Sequence, residues 1–113
     1  MVSEEMNRSD TFKMNMNRRE IELSIVMPCL NEAKTVEKCI QRARGYLERN
    51  RINGEVIISD NGSQDGSNEI AAATGALVTV VSQRGYGAAI RGGISQARGK
   101  YIIIGDSDNS YDF

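Results

Sequence analysis

The sequence has 113 residues, of which 40% are hydrophobic and 26% charged, values that suit one small globular domain. A formal net charge of -1 excludes a global electrostatic field that would hold nucleic acid or an anionic membrane. No apolar run reaches the roughly 18 residues of a membrane-spanning helix, and the polar, acidic N-terminus does not suit a signal peptide. We therefore expect a cytoplasmic protein that does not bind nucleic acid.

The N-terminal residues 1–20 are polar and show no hydrophobic period, which is typical of a disordered tail. The folded part is expected over residues 21–113. It begins with the apolar run Leu23–Met27, a buried strand that Pro28 should stop. An amphipathic helix of about 15 residues, which Asn31 could cap, follows because apolar side chains recur at helical spacing. These side chains are Val36, Ile40, Ala43 and Leu47.

The rest of the chain repeats this alternation. Asp65 is a candidate N-cap for the second helix, and Gly75 is a natural stop at its C-terminal end. The pattern predicts strands over residues 55–60, 77–81 and 101–104 and helices over residues 66–74 and 88–97. The order βαβαβαβ, with each strand a nearly continuous apolar run, predicts an α/β, Rossmann-like fold with a mainly parallel sheet and helices on both faces.

Polar residues follow every predicted strand, at the edge where open parallel sheets bind ligands. The sharpest signal is Asp106-Ser107-Asp108, directly after the fourth strand. Two carboxylates two residues apart can approach one hard cation, which takes further ligands from water and phosphate oxygens. The same residues also fit a polar loop with capping aspartates, and both interpretations stay open on the residues alone.

Other candidates at this edge also have two interpretations. Asp60 could accept hydrogen bonds from a base or ribose, or simply begin the Asn61-Gly62 turn. Glu32 could contact a ribose or base, or favour the first turn of its helix. Arg84 and Arg91 could meet phosphate, although exposed arginines often have no ligand.

The cysteine and histidine content limits the chemistry. Cys29 and Cys39 match no zinc spacing and are expected to be small buried side chains. The sequence has no histidine, which excludes Ser-His-Asp and Cys-His catalysis and leaves oxygen ligands for any metal. Such ligands favour Mg²⁺ or Mn²⁺ over Zn²⁺.

Four collinear segments resemble family 2 glycosyltransferases, in particular the branch similar to dolichol-phosphate mannose synthase. They are Ser24–Glu32 (SIVMPCLNE), Glu55–Ser67 (EVIISDNGSQDGS), Arg84–Gly99 (RGYGAAIRGGISQARG) and Ile102–Phe113 (IIIGDSDNSYDF). The resemblance implies a GT-A fold, a UDP- or GDP-linked sugar donor, a Mg²⁺ or Mn²⁺ ion, and inverting transfer to a polyprenyl phosphate. It also implies a longer domain, of which this chain is the N-terminal part truncated after the Asp-X-Asp motif and inactive by itself.

The resemblance assigns roles by position. Pro28, Leu30 and Glu32 would line the base and ribose pocket, and Asp60 would contact the base. The segment Asp106-Ser107-Asp108 would bind the diphosphate and the metal ion, with Asp106 and Asp108 as the metal ligands. Asn61 departs from the family's usual second aspartate, which would weaken one polar contact to the base. The sequence offers no residue for acceptor activation.

Two other functions compete with this one. A non-catalytic nucleotide-binding module would need a partner, and the edge of an unfinished sheet favours self-association or pairing. A nucleotidyltransferase ranks third, because its Gly-rich basic loop should directly follow the first strand, where Pro28-Cys29-Leu30-Asn31-Glu32 stands.

Overall fold

The computed structural model describes residues 20–108, so all but the last residue of the predicted tail, and the segment 109–113, lie outside it. The described chain alternates strands and helices in the predicted order. The elements are β1 (Leu23–Cys29), α1 (Val36–Arg49), β2 (Gly54–Asp60), α2 (Ser67–Ala73), β3 (Leu77–Val80), α3 (Tyr86–Gln96) and β4 (Tyr101–Ile104). Within residues 20–108, no helix is both long and apolar enough to cross a membrane.

The four strands form one parallel sheet in the order β3-β2-β1-β4. The central strands β1 and β2 run in register from Leu23 beside Gly54 to Cys29 beside Asp60. Both are buried over most of their length, which explains why their sequences are apolar without alternation. The predicted parallel α/β architecture is confirmed.

Helices cover both faces of the sheet, also as predicted. Helices α1 and α2 pack on the face that carries Ile25, Met27 and Ile58. Helix α3 packs on the opposite face, where Gly93 lies against Val26 so closely that any side chain at position 93 would overlap it. The small residues of α3 therefore allow the helix to approach the sheet.

Strand β1 does not stop at Pro28 but continues to Cys29. The backbone carbonyls of Val26 and Pro28 face the β4 side, where they accept hydrogen bonds from Gly105 N and Ser107 Oγ. Because β4 pairs with β1 only as far as Val26, the absent N–H of Pro28 removes no bond from the β-ladder. Proline is therefore tolerated in a central strand.

The predicted helix caps are only partly correct. Helix α1 begins after Thr35, and Asn31 instead adopts a left-handed conformation (φ 55°) in the preceding loop. Its side chain accepts a hydrogen bond from the next loop, so loop pairing prevails over capping. Gly66 occupies the N-cap of α2, although Asp65 does accept the Ser67 N–H. Gly75 ends that helix at φ 100°, as expected.

A polar cluster at the opposite end of the sheet fixes the entry to β4. The Glu55 carboxylate accepts hydrogen bonds from Ser24 Oγ (2.6 Å), Arg98 N (2.8 Å) and the Arg98 guanidinium (2.9 Å). Gly99 N donates in turn to Ser24 Oγ at 2.8 Å. Burial by itself raises the pKa of Glu55, but the hydrogen bonds from Ser24 and Arg98 outweigh it, and the net pKa lies below the ordinary value.

We expect Glu55→Gln to lower the free energy of unfolding by about 1–2 kcal/mol at pH 7, since it weakens charge-assisted hydrogen bonds to a nearly buried carboxylate. A lowered pKa stabilises the fold above the unfolded value of about 4.3, and this stabilisation disappears as the pH falls through the folded pKa. Urea titrations at pH 7 and near pH 3 should show the difference between wild type and variant shrinking in acid. The exposed Glu48→Gln is the matched control, and a pH-independent difference would contradict this account.

Candidate functional site

The loops that follow all four strands meet at one edge of the sheet, because the strands are parallel. A cleft of about 420 Å³ lies there. Six of the seven predicted site residues line it, namely Pro28, Leu30, Glu32, Asp106, Ser107 and Asp108. A larger depression of about 600 Å³ lies between α1 and α2, away from the strand ends, and holds none of the predicted residues. The cleft at the strand ends is therefore the candidate site.

The loop after β1 is bound tightly to the loop after β2. The four hydrogen bonds between them run from Asn31 N to Ser63 Oγ (2.8 Å), Gln64 N to Asn31 Oδ1 (2.8 Å), Glu32 N to Ser67 Oγ (2.9 Å) and Ala33 N to Asp65 Oδ2 (3.0 Å). The hydrogen bond from the Ser67 hydroxyl, followed by those from backbone N–H groups, lowers the pKa of Asp65. This network holds Leu30 and Glu32 at the rim of the cleft.

Asp60, the seventh predicted residue, is fully buried and does not line the cleft. Its Oδ2 accepts hydrogen bonds from Gly62 N (2.9 Å) and Ser63 N (2.8 Å), and its Oδ1 accepts one from Ser63 Oγ. The side-chain amide of Asn68, with its nitrogen turned toward Asp60, donates to the same carboxylate. Asp60 thus shapes the turn after β2, and its contact with a base stays a prediction.

The Asp-X-Asp segment is anchored through its middle residue. Gly105 N extends the pairing of β4 with β1 by donating to Val26 O at 2.9 Å. Ser107 is 2% exposed, and its hydroxyl donates to Pro28 O at 2.9 Å. The Thr35 hydroxyl donates to Ser107 O at 2.7 Å. Ser107 therefore positions the loop, and its contact with a diphosphate stays a prediction.

The flanking carboxylates suit a hard cation. Asp106 is half-buried and Asp108 is exposed, and both line the cleft. Residues 20–108 contain no group of three or more histidine, cysteine or acidic side chains that could hold a metal ion. An ion bound by Asp106 and Asp108 would complete its coordination with water or an anionic ligand, as Mg²⁺ does in phosphate sites.

The walls of the cleft include apolar surface. Leu30 is 47% exposed and Tyr86 is 62% exposed, and both line the cleft. Cys29 lies beneath them at 3% exposure, and Cys39 is buried in α1, so the prediction of two buried cysteines is confirmed. Burial raises the pKa of the Cys29 thiol despite a hydrogen bond with Ser107, which keeps Cys29 protonated and unreactive at neutral pH.

The segment after β3 contributes Arg84, Gly85 and Tyr86 to the cleft, and Asn61, directly after β2, also lines it. Of the two arginines that the sequence offered for phosphate, Arg84 lines the cleft and Arg91 does not. The Arg84 guanidinium lies over Gly62, about 3.4 Å from where a Cβ would stand. The pair Gly85-x-Gly87 indicates a flexible turn at this place in the sequence. It does not predict which side chains line the cleft, because that depends on the path of the loop.

An open parallel sheet with a cleft at its strand ends, lined by apolar side chains and a carboxylate pair, is typical of ligand-binding α/β domains. The sequence profile of Glycosyl transferase family 2 matches residues 24–113, and the chain belongs to that family. The resemblance seen in the four sequence segments is confirmed.

Curated relatives include polyprenyl-phosphate sugar transferases. The low-salt glycan biosynthesis hexosyltransferase Agl6 of Haloferax volcanii is 44% identical over 91 residues, which cover 80% of this chain and 22% of Agl6. The human dolichyl-phosphate beta-glucosyltransferase is 33% identical over 105 residues, covering 81% of this chain and 32% of the relative. The chain therefore spans between about a fifth and a third of the length of these relatives.

Solved structures confirm the GT-A architecture. Mannosyl-3-phosphoglycerate synthase from Rubrobacter xylanophilus matches with a TM-score of 0.72 and 27% identity, over 83% of this chain and 34% of that one. Glucosyl-3-phosphoglycerate synthase from Mycobacterium tuberculosis, solved with Mn²⁺, UDP and glucosyl-3-phosphoglycerate, matches with a TM-score of 0.67 and 25% identity, over 85% and 37% of the two chains. Divalent metal ions and UDP thus occur in structures of this fold.

Proposed function

We propose that this chain is the donor-binding part of a metal-dependent, inverting glycosyltransferase that uses a UDP- or GDP-linked sugar. One observation carries the proposal: Ser107 fixes Asp106 and Asp108 at the same cleft that Leu30 and Glu32 line. A carboxylate pair and a nucleoside pocket at one strand edge are what a nucleoside-diphosphate donor requires.

Each side chain would act through its position. Pro28 and Leu30 offer apolar surface to a base, and the Glu32 carboxylate can accept hydrogen bonds from ribose hydroxyls. Asp106 and Asp108 would hold Mg²⁺ or Mn²⁺, which, when bound, neutralises the diphosphate and makes it a better leaving group. Arg84 lies where it could meet a phosphate oxygen.

The acceptor proposed is a polyprenyl phosphate. The support comes from relatives that carry dolichyl-phosphate or undecaprenyl-phosphate in their names, such as the 39% identical undecaprenyl-phosphate 4-deoxy-4-formamido-L-arabinose transferase of Aeromonas hydrophila. No acceptor-activating residue is identified among residues 20–108. We therefore expect the 113-residue chain alone to bind a donor without transferring the sugar.

Calorimetric titration tests the donor site. UDP and GDP are titrated into the folded chain with and without Mn²⁺, and one of them should bind in a metal-dependent way. A folded sample that binds neither nucleotide, or binds equally well with a chelator present, would overturn the proposal. If the gene encodes a longer protein, binding without transfer when a polyprenyl phosphate is added to that protein would favour the non-catalytic module instead.

We also propose that the isolated chain self-associates through β4. Within residues 20–108 this strand pairs with β1 on one side and with no strand on the other, and its four residues are 37–59% exposed. An apolar strand edge with unpaired backbone groups is a template for pairing with another chain. Sedimentation should show concentration-dependent dimers that Ile103→Lys abolishes, whereas Val80→Lys on the opposite edge leaves them. A monomeric wild type at high concentration would refute this.

A further inference from the structure

Asn61 connects the end of β2 to the loop after β3. It is 6% exposed, and its backbone N–H donates to Cys29 O at 2.9 Å. Its side-chain amide donates from Nδ2 to Val81 O (2.9 Å) and to Gln83 O (2.8 Å). The amide oxygen accepts a hydrogen bond from Gly85 N at 2.8 Å. Both amide protons and the amide oxygen are thus used on one five-residue segment, 81–85.

The chemistry of these three bonds requires an amide. Two backbone carbonyls must meet donors and one backbone N–H must meet an acceptor, which also fixes the orientation of the amide. An aspartate of the same shape has only acceptors when ionised, and it would face the carbonyls of Val81 and Gln83 with like partial charge. The departure from the family's usual aspartate therefore matches a local need in this chain.

The segment 81–85 forms part of the wall of the cleft. It carries Arg84 and Gly85, which line the cleft, and it places the Arg84 guanidinium over Gly62 in the turn after β2. Gly85 adopts φ 116°, a conformation that strongly favours glycine. Apart from Val81 N, which donates to Asp60 O at 2.7 Å, the bonds that tie this segment to β2 come from the Asn61 side chain.

We propose that Asn61 is a positioning residue that holds segment 81–85 against the cleft and thereby sets the affinity for the nucleotide. The effect on nucleotide affinity rests on the proposed function. The positioning of segment 81–85 does not depend on it. This role adds to the sequence-based expectation that Asn61 weakens one polar contact with the base. The amide acts through the loop, so its loss should be visible both in the loop and in binding.

The loop is tested first, without nucleotide. Asn61→Asp should increase the rate of tryptic cleavage after Arg84 by about 10- to 100-fold, because losing two hydrogen bonds and gaining repulsion opens the segment. Mass spectrometry of the fragments identifies that cleavage among the others. The control Asn50→Asp introduces the same charge at the exposed C-cap of α1, where it removes the bond from Asn50 Nδ2 to Tyr46 O, and should leave the cleavage after Arg84 as in the wild type.

Binding supplies a second readout. At pH 7.5, Asn61→Asp should bind UDP or GDP with Mn²⁺ about tenfold or more weakly than wild type, each measured by calorimetry. Equal affinities at pH 7.5 would overturn the proposal.

The wild type gives a test that needs no variant to fold. In amide hydrogen exchange, Gly85 N–H should be protected relative to Gln83 and Arg84, because it donates to a buried side chain. Rapid exchange at Gly85 would overturn the proposal that the Asn61 side chain holds segment 81–85. If the wild type binds no nucleotide but the exchange and trypsin results hold, the proposed function fails and the role of Asn61 in the loop stands.

Discussion

Asp108→Asn should weaken Mn²⁺-dependent nucleotide binding by about 100-fold, since it removes one of the two carboxylates that we propose as ligands of the metal ion. Asp108 is exposed at the cleft, and the bonds of Ser107 anchor the loop. The variant should therefore keep the fold, which circular dichroism and the urea midpoint verify. Calorimetry with UDP or GDP measures the loss.

A control variant distinguishes the loss of a metal ligand from the loss of one negative charge. Glu69→Gln also removes one negative charge, at an exposed position in α2, and should bind like the wild type. With a chelator present, wild type and Asp108→Asn should bind the nucleotide equally weakly. An Asp108→Asn variant with unchanged metal-dependent affinity would contradict the assignment of Asp108 as a ligand and favour the interpretation of the motif as a capped polar loop.

The fold was accessible from sequence because each strand is a short apolar run between turn residues. In parallel sheets the strands are buried on both faces, and β1 and β2 follow this rule along most of their length. Element ends were less accessible. Pro28 stays within β1 because its missing N–H lies beyond the end of β4, a fact of sheet order that residues 23–29 alone do not contain.

The candidate site was predictable where it depended on strand ends and not where it depended on side-chain direction. Asp106 and Asp108 follow a strand, and parallel topology alone brings them to the cleft near Leu30 and Glu32. Asp60 stands at the last position of a strand, yet its carboxylate turns into its own loop, while its neighbour Asn61 lines the cleft. Local hydrogen bonds determine which of two neighbouring side chains faces the cleft, and the spacing of residues in the sequence does not predict those bonds.

Asp60→Ala should lower the free energy of unfolding by about 3 kcal/mol, since it leaves several donors of the turn without their acceptor in a buried place. The donors affected are Gly62 N, Ser63 N, Ser63 Oγ and the Asn68 side-chain amide. Because this turn also bonds to the loop that carries Leu30 and Glu32, the disruption should reach the cleft and weaken nucleotide binding. Urea denaturation and calorimetry measure the two effects.

Asp60→Asn distinguishes a structural role from contact with the base. Its amide oxygen can keep the bonds from Gly62 N and Ser63 N, and its amide nitrogen can donate to Ser63 Oγ. The Asn68 amide can turn its oxygen toward that nitrogen, so the stability should fall by less than about 1 kcal/mol. If Asp60 serves only the turn, nucleotide affinity should follow this small change. A variant that keeps its urea midpoint but loses tenfold or more in affinity would show that the carboxylate itself reaches the base. The turn would then have to open on binding, because in this structure Asp60 is fully buried.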